Sequence, residues 1–93
     1  MTVDDTLEER QGTYGDYIDN AGIAQSIKEA MQTTNNWDSL PAIHREALDQ
    51  IASKIARSIN GDPYHKDNFD DIAGYALLVS RHIEDKLTGA LDE

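Results

Sequence analysis

The chain has 93 residues, of which 18 are acidic and 8 basic, so its formal net charge is −10. It contains no cysteine, which excludes disulfides, thiolate metal sites and cysteine nucleophiles. The charge argues against direct binding to nucleic acid or to an anionic membrane, because both repel a net anion. No apolar run approaches the roughly 20 residues of a membrane span. The first residues lack the basic flank and apolar stretch of a signal peptide, so we expect a cytoplasmic protein.

The negative charge is concentrated at the two ends of the sequence. Residues 1–20 and 61–93 each carry a net charge of −5, whereas residues 21–60 are neutral. A compact domain of this length is about 25 Å across, so we expect the two ends to lie near each other. Two interpretations stay open: an acidic surface that keeps the protein soluble, or a face that docks a basic partner.

Helical periodicity predicts a short first helix and a longer second one. Thr2, with Asp5 three residues later, forms a capping box that begins a helix ending near residue 11. Gly12 and Gly15 then indicate a turn. Apolar residues spaced three and four apart predict the second helix over about residues 16–33.

The third and fourth helices have clear boundaries in the sequence. The third begins around Pro41 and ends at Gly61, which we expect in the left-handed conformation. The fourth begins with Asn68 as N-cap and ends at Gly89. Trp37 lies in the loop between the second and third helices and is expected to cover the helix packing.

The predicted core consists of the apolar stripes of the helices. On the third helix the stripe includes Ile55 and Ile59, and on the fourth it includes Phe69 and Leu87. Gly22, inside the second helix, indicates a close helix crossing. The fold class is therefore all-α: a small helical bundle forming a single domain over residues 1–93. It has one short N-terminal helix plus three longer helices, and the last two form an antiparallel hairpin.

Charged residues gather where the hairpin helices meet. They are expected to form an ion-pair or phosphate cluster with the members Lys54, Arg57, Asp67, Asp70, Asp71 and Tyr75. One interpretation is a set of ion pairs that holds the hairpin together. The other is a pocket in which the cations bind phosphate and the carboxylates bind Mg²⁺. His65 with Asp67 and Asp71 could also hold a divalent metal, or could simply form a polar loop.

The N-terminal region supplies the candidate partner-binding surface. It consists of exposed acids and loop tyrosines, namely Asp4, Asp5, Glu8, Glu9, Tyr14, Asp16, Tyr17 and Asp19. The tyrosines around Gly15 could instead pack on the core at a helix–helix turn. No serine or histidine motif indicates a catalytic residue.

The motifs of this chain resemble those of a family of small helical proteins encoded by bacteriophages and prophages. The similarity spans roughly residues 8–80. Its parts are Arg10 with residues 13–16, a Lys-Ile-Ala-Arg helix within residues 44–57, residues 60–63, and an Ile-Ala-Gly-Tyr helix within residues 67–76.

That family is in turn distantly similar to the MazG-like all-α nucleotide pyrophosphohydrolases. Those enzymes bind Mg²⁺ through Glu-Glu-x-x-Glu on one helix and Glu-x-x-Asp on another. The resemblance implies a metal pair of Asp67 and Asp71. Lys54 and Arg57, however, occupy the helix that carries glutamates in those enzymes.

Three functions follow from these observations. The first is a phage-encoded accessory protein that binds and modulates a host protein with a basic surface. The target would be a defence or nucleic-acid-handling factor, inhibited by DNA mimicry in the cytoplasm of the bacterial host. This reading needs no cofactor. The second is a Mg-dependent MazG-like pyrophosphohydrolase or a nucleotide-binding protein. The third is a self-assembling module, a homodimer that shares its apolar stripes.

Overall fold

The structure is a computed structural model, and residues 2–89 are described. The expected all-α architecture is confirmed, since these residues form four α-helices and no strand. The helices are α1 Val3–Tyr14, α2 Tyr17–Met31, α3 Ala42–Asn60 and α4 Lys66–Thr88, with a short 3₁₀ turn at Trp37–Ser39. Helix α3 lies at the centre, packs most extensively against α4 in a hairpin, and also packs against α2.

Helix α1 begins as predicted but extends further. The capping box is present, because the Asp5 N–H donates to Thr2 Oγ1 and the Thr2 N–H donates to Asp5 Oδ2, both at 3.2 Å. The expected end near residue 11 is wrong: Gly12 continues the helix and Tyr14 ends it. The turn instead depends on Gly15, whose φ of 83° is a conformation that only glycine adopts without strain.

Two expectations about the hairpin loop are wrong. Gly61 has φ −109°, so it is not left-handed. Helix α4 begins at Lys66 with His65 as N-cap, because the His65 N–H already donates to Asp62 O at 3.2 Å and turns the chain early. Asn68 is therefore not a cap but a buried side chain, only 2% exposed. The expected stop at Gly89 is confirmed by its left-handed conformation.

The core is smaller than the sequence predicts. Its buried apolar residues are Ala24, Trp37, Ala47, Ala52 and Ala56. Ile59, Phe69 and Leu87, predicted inside, are instead 69%, 57% and 82% exposed, and Ile55 is 37% exposed. The buried residues of α3 are alanines, whose short side chains fill little space. Larger apolar residues beside them on the helix lie outside this small core and stay exposed.

The molecule is elongated, with extents of 50 × 27 × 22 Å. The expectation of a body about 25 Å across is therefore wrong along the long axis. Gly22 does not mark a helix crossing, because nothing lies within 4 Å of a Cβ placed there. Within residues 2–89, no helix has the length and apolar character needed to cross a membrane.

Candidate functional site around Tyr14

The α1–α2 turn and the α3–α4 loop touch through their glycines. A Cβ on Gly61 would lie under 3 Å from the backbone of Thr13 and Tyr14. A Cβ on Gly15 would lie equally close to Asn60. The Asp62 N–H donates to Thr13 O at 2.9 Å. We call this contact of Gly15 with Asn60 and of Gly61 with Thr13–Tyr14 the glycine clasp.

Two asparagine side chains complete the clasp. Asn20, 9% exposed, donates from Nδ2 to Tyr14 O at 2.6 Å. Asn60 donates from Nδ2 to Asn20 Oδ1 at 3.0 Å and to Asp16 O at 3.3 Å. The bond to Tyr14 O satisfies a backbone carbonyl at the C-terminal end of α1, where a helix leaves its last carbonyls without partners. Asp16 O already accepts from the Asn20 N–H at 2.9 Å, so the bond from Asn60 is a second one to that oxygen. The clasp thereby fixes the position of Tyr14.

The Tyr14 ring is surrounded by basic side chains. The guanidinium carbons of Arg10 and Arg57 lie 4.9 Å and 5.1 Å from its centroid. The His65 ring contacts it edge-on, with centroids 5.2 Å apart. Tyr14 therefore joins α1, α3 and the start of α4, and both arginines lie within cation–π distance of its ring.

A cavity of about 470 Å³ opens beside Tyr14. It lies between α1, α2 and α3, and its lining includes three cations, Arg10, Lys28 and Arg57, and one acid, Asp16. Within residues 2–89, no carboxylate lies within 4.0 Å of any of these three cations, since none of them forms an ion pair. The cavity is thus a basic site on a strongly acidic protein.

The expected hairpin cluster is divided in the structure. Lys54 Nζ binds Asp71 Oδ2 at 2.9 Å and connects α3 with α4. Asp70 binds Lys66 on its own helix at 2.7 Å. Arg57 is not among these pairs and instead lies over the Tyr14 ring.

The remaining cluster residues lie at the surface of α4. Tyr75 is half-buried and lines a shallow groove together with Asp70 and Asp71. Asp67 Oδ2 is 4.0 Å from His65 Nε2, and its side chain is 78% exposed. The Asp70 carboxylate raises the pKa of Lys66, first through its hydrogen bond and then through its charge. Because the shift is upward, the Lys66 ammonium stays charged throughout the neutral range.

The carboxylates implied for Mg²⁺ do not fit that ion well. Asp71 is engaged by the Lys54 ammonium, whose positive charge opposes a cation at the same oxygen. The Asp67 side chain is exposed to solvent. Among residues 2–89 no group of three or more histidine and carboxylate side chains is arranged to hold a metal.

The candidate partner-binding acids lie at the surface of α1 and the start of α2. All six are exposed, namely Asp4, Asp5, Glu8, Glu9, Asp16 and Asp19. Asp16 also caps α2 by accepting from the Ile18 N–H at 3.1 Å. Tyr17 is 81% exposed, whereas Tyr14 is half-buried within the site described above.

Sequence reasoning did not single out Asn20, Asn60 or Lys28. Lys28 occupies an ordinary surface-type position on α2, and only the packing of α1 and α3 against α2 brings it near the arginines. The burial of Asn20 is only weakly indicated by the sequence: it is a polar residue at a position that fits the apolar spacing of α2, and buried polar groups need hydrogen-bond partners.

Residues 2–83 match the model of a domain of unknown function, DUF6378, and the chain belongs to this family. The match covers α1 to α3 and most of α4, so it includes every residue of the clasp and the cavity. No curated protein and no solved structure matches the chain.

Proposed function

We propose that this protein is a small acidic binding protein that docks through α1 onto a basic surface of a partner protein. The observation that carries the proposal is the exposure of α1: none of its residues is buried, and four of them are acids. A helix that contributes so little to its own core is available to another molecule.

The charge pattern of α1 suits a partner that binds nucleic acid. Asp4 and Glu8, like Asp5 and Glu9, are four residues apart, which is about 6 Å along a helix. That density, two charges per 6 Å, is close to the one charge per about 3.4 Å of a single DNA strand. Val3 and Leu7, 77% and 59% exposed, add apolar contact area beside the charges.

A more specific proposal concerns the origin of the protein and the identity of its partner. On the resemblance to phage-encoded helical proteins, the partner would be a defence or nucleic-acid-handling factor of the bacterial host, inhibited by DNA mimicry in the cytoplasm. Electrostatic attraction of this kind raises the rate at which the two proteins associate. The affinity falls as salt is added, because the ions screen the charges.

The test uses two charge variants with the same net charge. Glu8→Gln/Glu9→Gln removes two of the four acids of α1, and Glu29→Gln/Asp38→Asn removes two exposed acids elsewhere. A partner captured from bacterial lysate is purified, and its Kd is measured from about 50 to 300 mM salt. We expect binding to weaken with salt and to weaken at least fivefold only in the α1 variant. Salt-insensitive binding, or equal loss in both variants, contradicts the proposal.

The alternative is a MazG-like pyrophosphohydrolase, with Asp67 and Asp71 as metal ligands. It is supported by the resemblance alone, whereas the Lys54–Asp71 ion pair opposes it. An assay of pyrophosphate release from nucleoside triphosphates with Mg²⁺ tests it. Turnover abolished by Asp71→Asn would favour the enzyme over the binding protein.

A further inference from the structure

We propose that the cavity beside Tyr14 is a binding site for a small molecule carrying a phosphate group, held by Arg10, Arg57 and Lys28. This site is separate from the acidic face of α1 and does not depend on the proposed docking function. Its volume of about 470 Å³ is within the range of small-molecule pockets, roughly 300–1,000 Å³.

The charge of the cavity is the first argument. Three of the eight basic side chains of the whole chain line it, against the single acid Asp16. The carboxylate of Asp16 is already engaged as the N-cap of α2. In a protein of net charge −10, a cluster of cations without carboxylate partners leaves unmatched positive charge that an anion would neutralise.

The burial of the cations and their lack of ion pairs are the second argument. Arg57 and Lys28 are half-buried, and neither forms an ion pair within residues 2–89. Withdrawing a cation from water without a counter-ion is unfavourable, so such groups are normally paired. A bound anion supplies the missing partner.

The geometry of the arginines is the third argument. Both guanidinium carbons lie close to the Tyr14 centroid, at 4.9 Å and 5.1 Å, so they are at most about 10 Å apart. Guanidinium groups bind phosphate oxygens through paired N–H donors. Stacking on a ring that the clasp holds in place fixes both arginines before the ligand arrives, which lowers the entropy cost of binding.

The long-range field of the protein does not prevent this binding. At physiological salt the Debye length is about 8 Å, so acids far from the cavity are largely screened. Glu8 and Glu9, which precede Arg10 in the sequence, are exposed and do not line the cavity.

The experiment is a calorimetric titration of the wild-type protein with inorganic phosphate, pyrophosphate and adenosine monophosphate in 150 mM sodium chloride. Arg10→Gln and Arg57→Gln are compared with Arg81→Gln, which removes an exposed arginine of α4 outside the cavity. We expect at least one probe to bind, at least tenfold weaker binding in both cavity variants, and an unchanged Kd in the control. Tighter binding of the monophosphate than of free phosphate would identify a phosphoester as the ligand, and the reverse would identify the free ion.

A second measurement guards against variants that fail to fold. Amide chemical shifts of the wild-type protein are followed during the same titration. Shifts centred on residues 10–28 and 53–57 support the site. Absence of binding by all three probes, shifts centred elsewhere, or equal loss in Arg81→Gln overturns the proposal.

Discussion

At the scale of single residues, Asn20 connects three parts of the chain through its side-chain amide. It donates to Tyr14 O and accepts from Asn60, and it is nearly buried. Removing such a group takes away the hydrogen bond to Tyr14 O and one of the two acceptors of Asn60 Nδ2, at a position that is only 9% exposed.

We therefore predict that Asn20→Ala lowers the free energy of unfolding by about 1–3 kcal/mol. The measurement is urea unfolding followed by circular dichroism. Asn35→Ala, an exposed loop asparagine, is the matched control and should change stability by less than about 0.5 kcal/mol. Equal effects of the two substitutions would show that the clasp contributes nothing to stability.

Gly61 leads to a second prediction, because its φ of −109° is open to other residues whereas the space around it is not. Gly61→Ala places a Cβ against the backbone of Thr13 and Tyr14, and we expect a loss of about 1–3 kcal/mol. Gly22→Ala meets nothing within 4 Å inside α2, so it should stabilise the protein by about 0.5–1 kcal/mol. Thermal unfolding of both variants measures this contrast. A stabilised Gly61→Ala protein would mean that the two turns are not in contact.

At the scale of the elements, one ion pair connects the hairpin helices. Lys54 is 17% exposed and Asp71 is 47% exposed, so solvent screens the pair only in part. We predict a coupling of about 0.5–1 kcal/mol in a double-mutant cycle of Lys54→Met and Asp71→Asn. The cycle of Lys66 and Asp70, within one exposed turn of α4, should give a smaller coupling. No coupling in the first cycle would show that this pair does not stabilise the hairpin.

The four helices and some of their ends could be predicted from the sequence, because periodicity and capping are local, whereas the predicted cap at Asn68 and the left-handed Gly61 are wrong. Thr2, Asp16 and Gly89 act at helix ends through atoms a few residues away.

The clasp and the cavity could not be predicted from the sequence. Asn20 bonds to Asn60 across 40 residues, and Lys28 and Arg57, 29 residues apart, line one cavity only after folding. Of the site residues, the sequence indicates Tyr14 as a loop aromatic and Arg57 as a member of the ion-pair or phosphate cluster, but their contact depends on helix packing.

At the scale of the whole molecule, the surface is large for the mass. The accessible area is 6765 Å² for 10.4 kDa, whereas a compact monomer of that mass exposes about 5,400 Å². Among the exposed residues are those that periodicity predicted to be core, including Ile59 and Phe69. Periodicity identifies side chains that favour burial, but it does not tell whether the same chain or another copy covers them.

We predict that the protein forms a homodimer through the α3–α4 hairpin. Sedimentation equilibrium should show a dimer whose dissociation constant rises in Ile59→Ser/Phe69→Ser and not in Ile18→Ser, an exposed change on α2. Added salt should strengthen this association, because it screens the repulsion between two copies of net charge −10. A monomer at high protein concentration and high salt would contradict the prediction.

The clasp has a further consequence for the motion of α1. This helix is tied at its C-terminal end by Thr13 and Tyr14, while its first two turns bury nothing. Its 12 residues are at the lower limit of the range, about 12–15 residues, below which an isolated helix is marginal even in favourable sequences. Backbone amides near Leu7 should therefore exchange with solvent deuterium far faster than those beside the clasp. Since α1 forms one wall of the cavity, fraying from its free end would open that wall, and protection of these amides would report whether the cavity is closed.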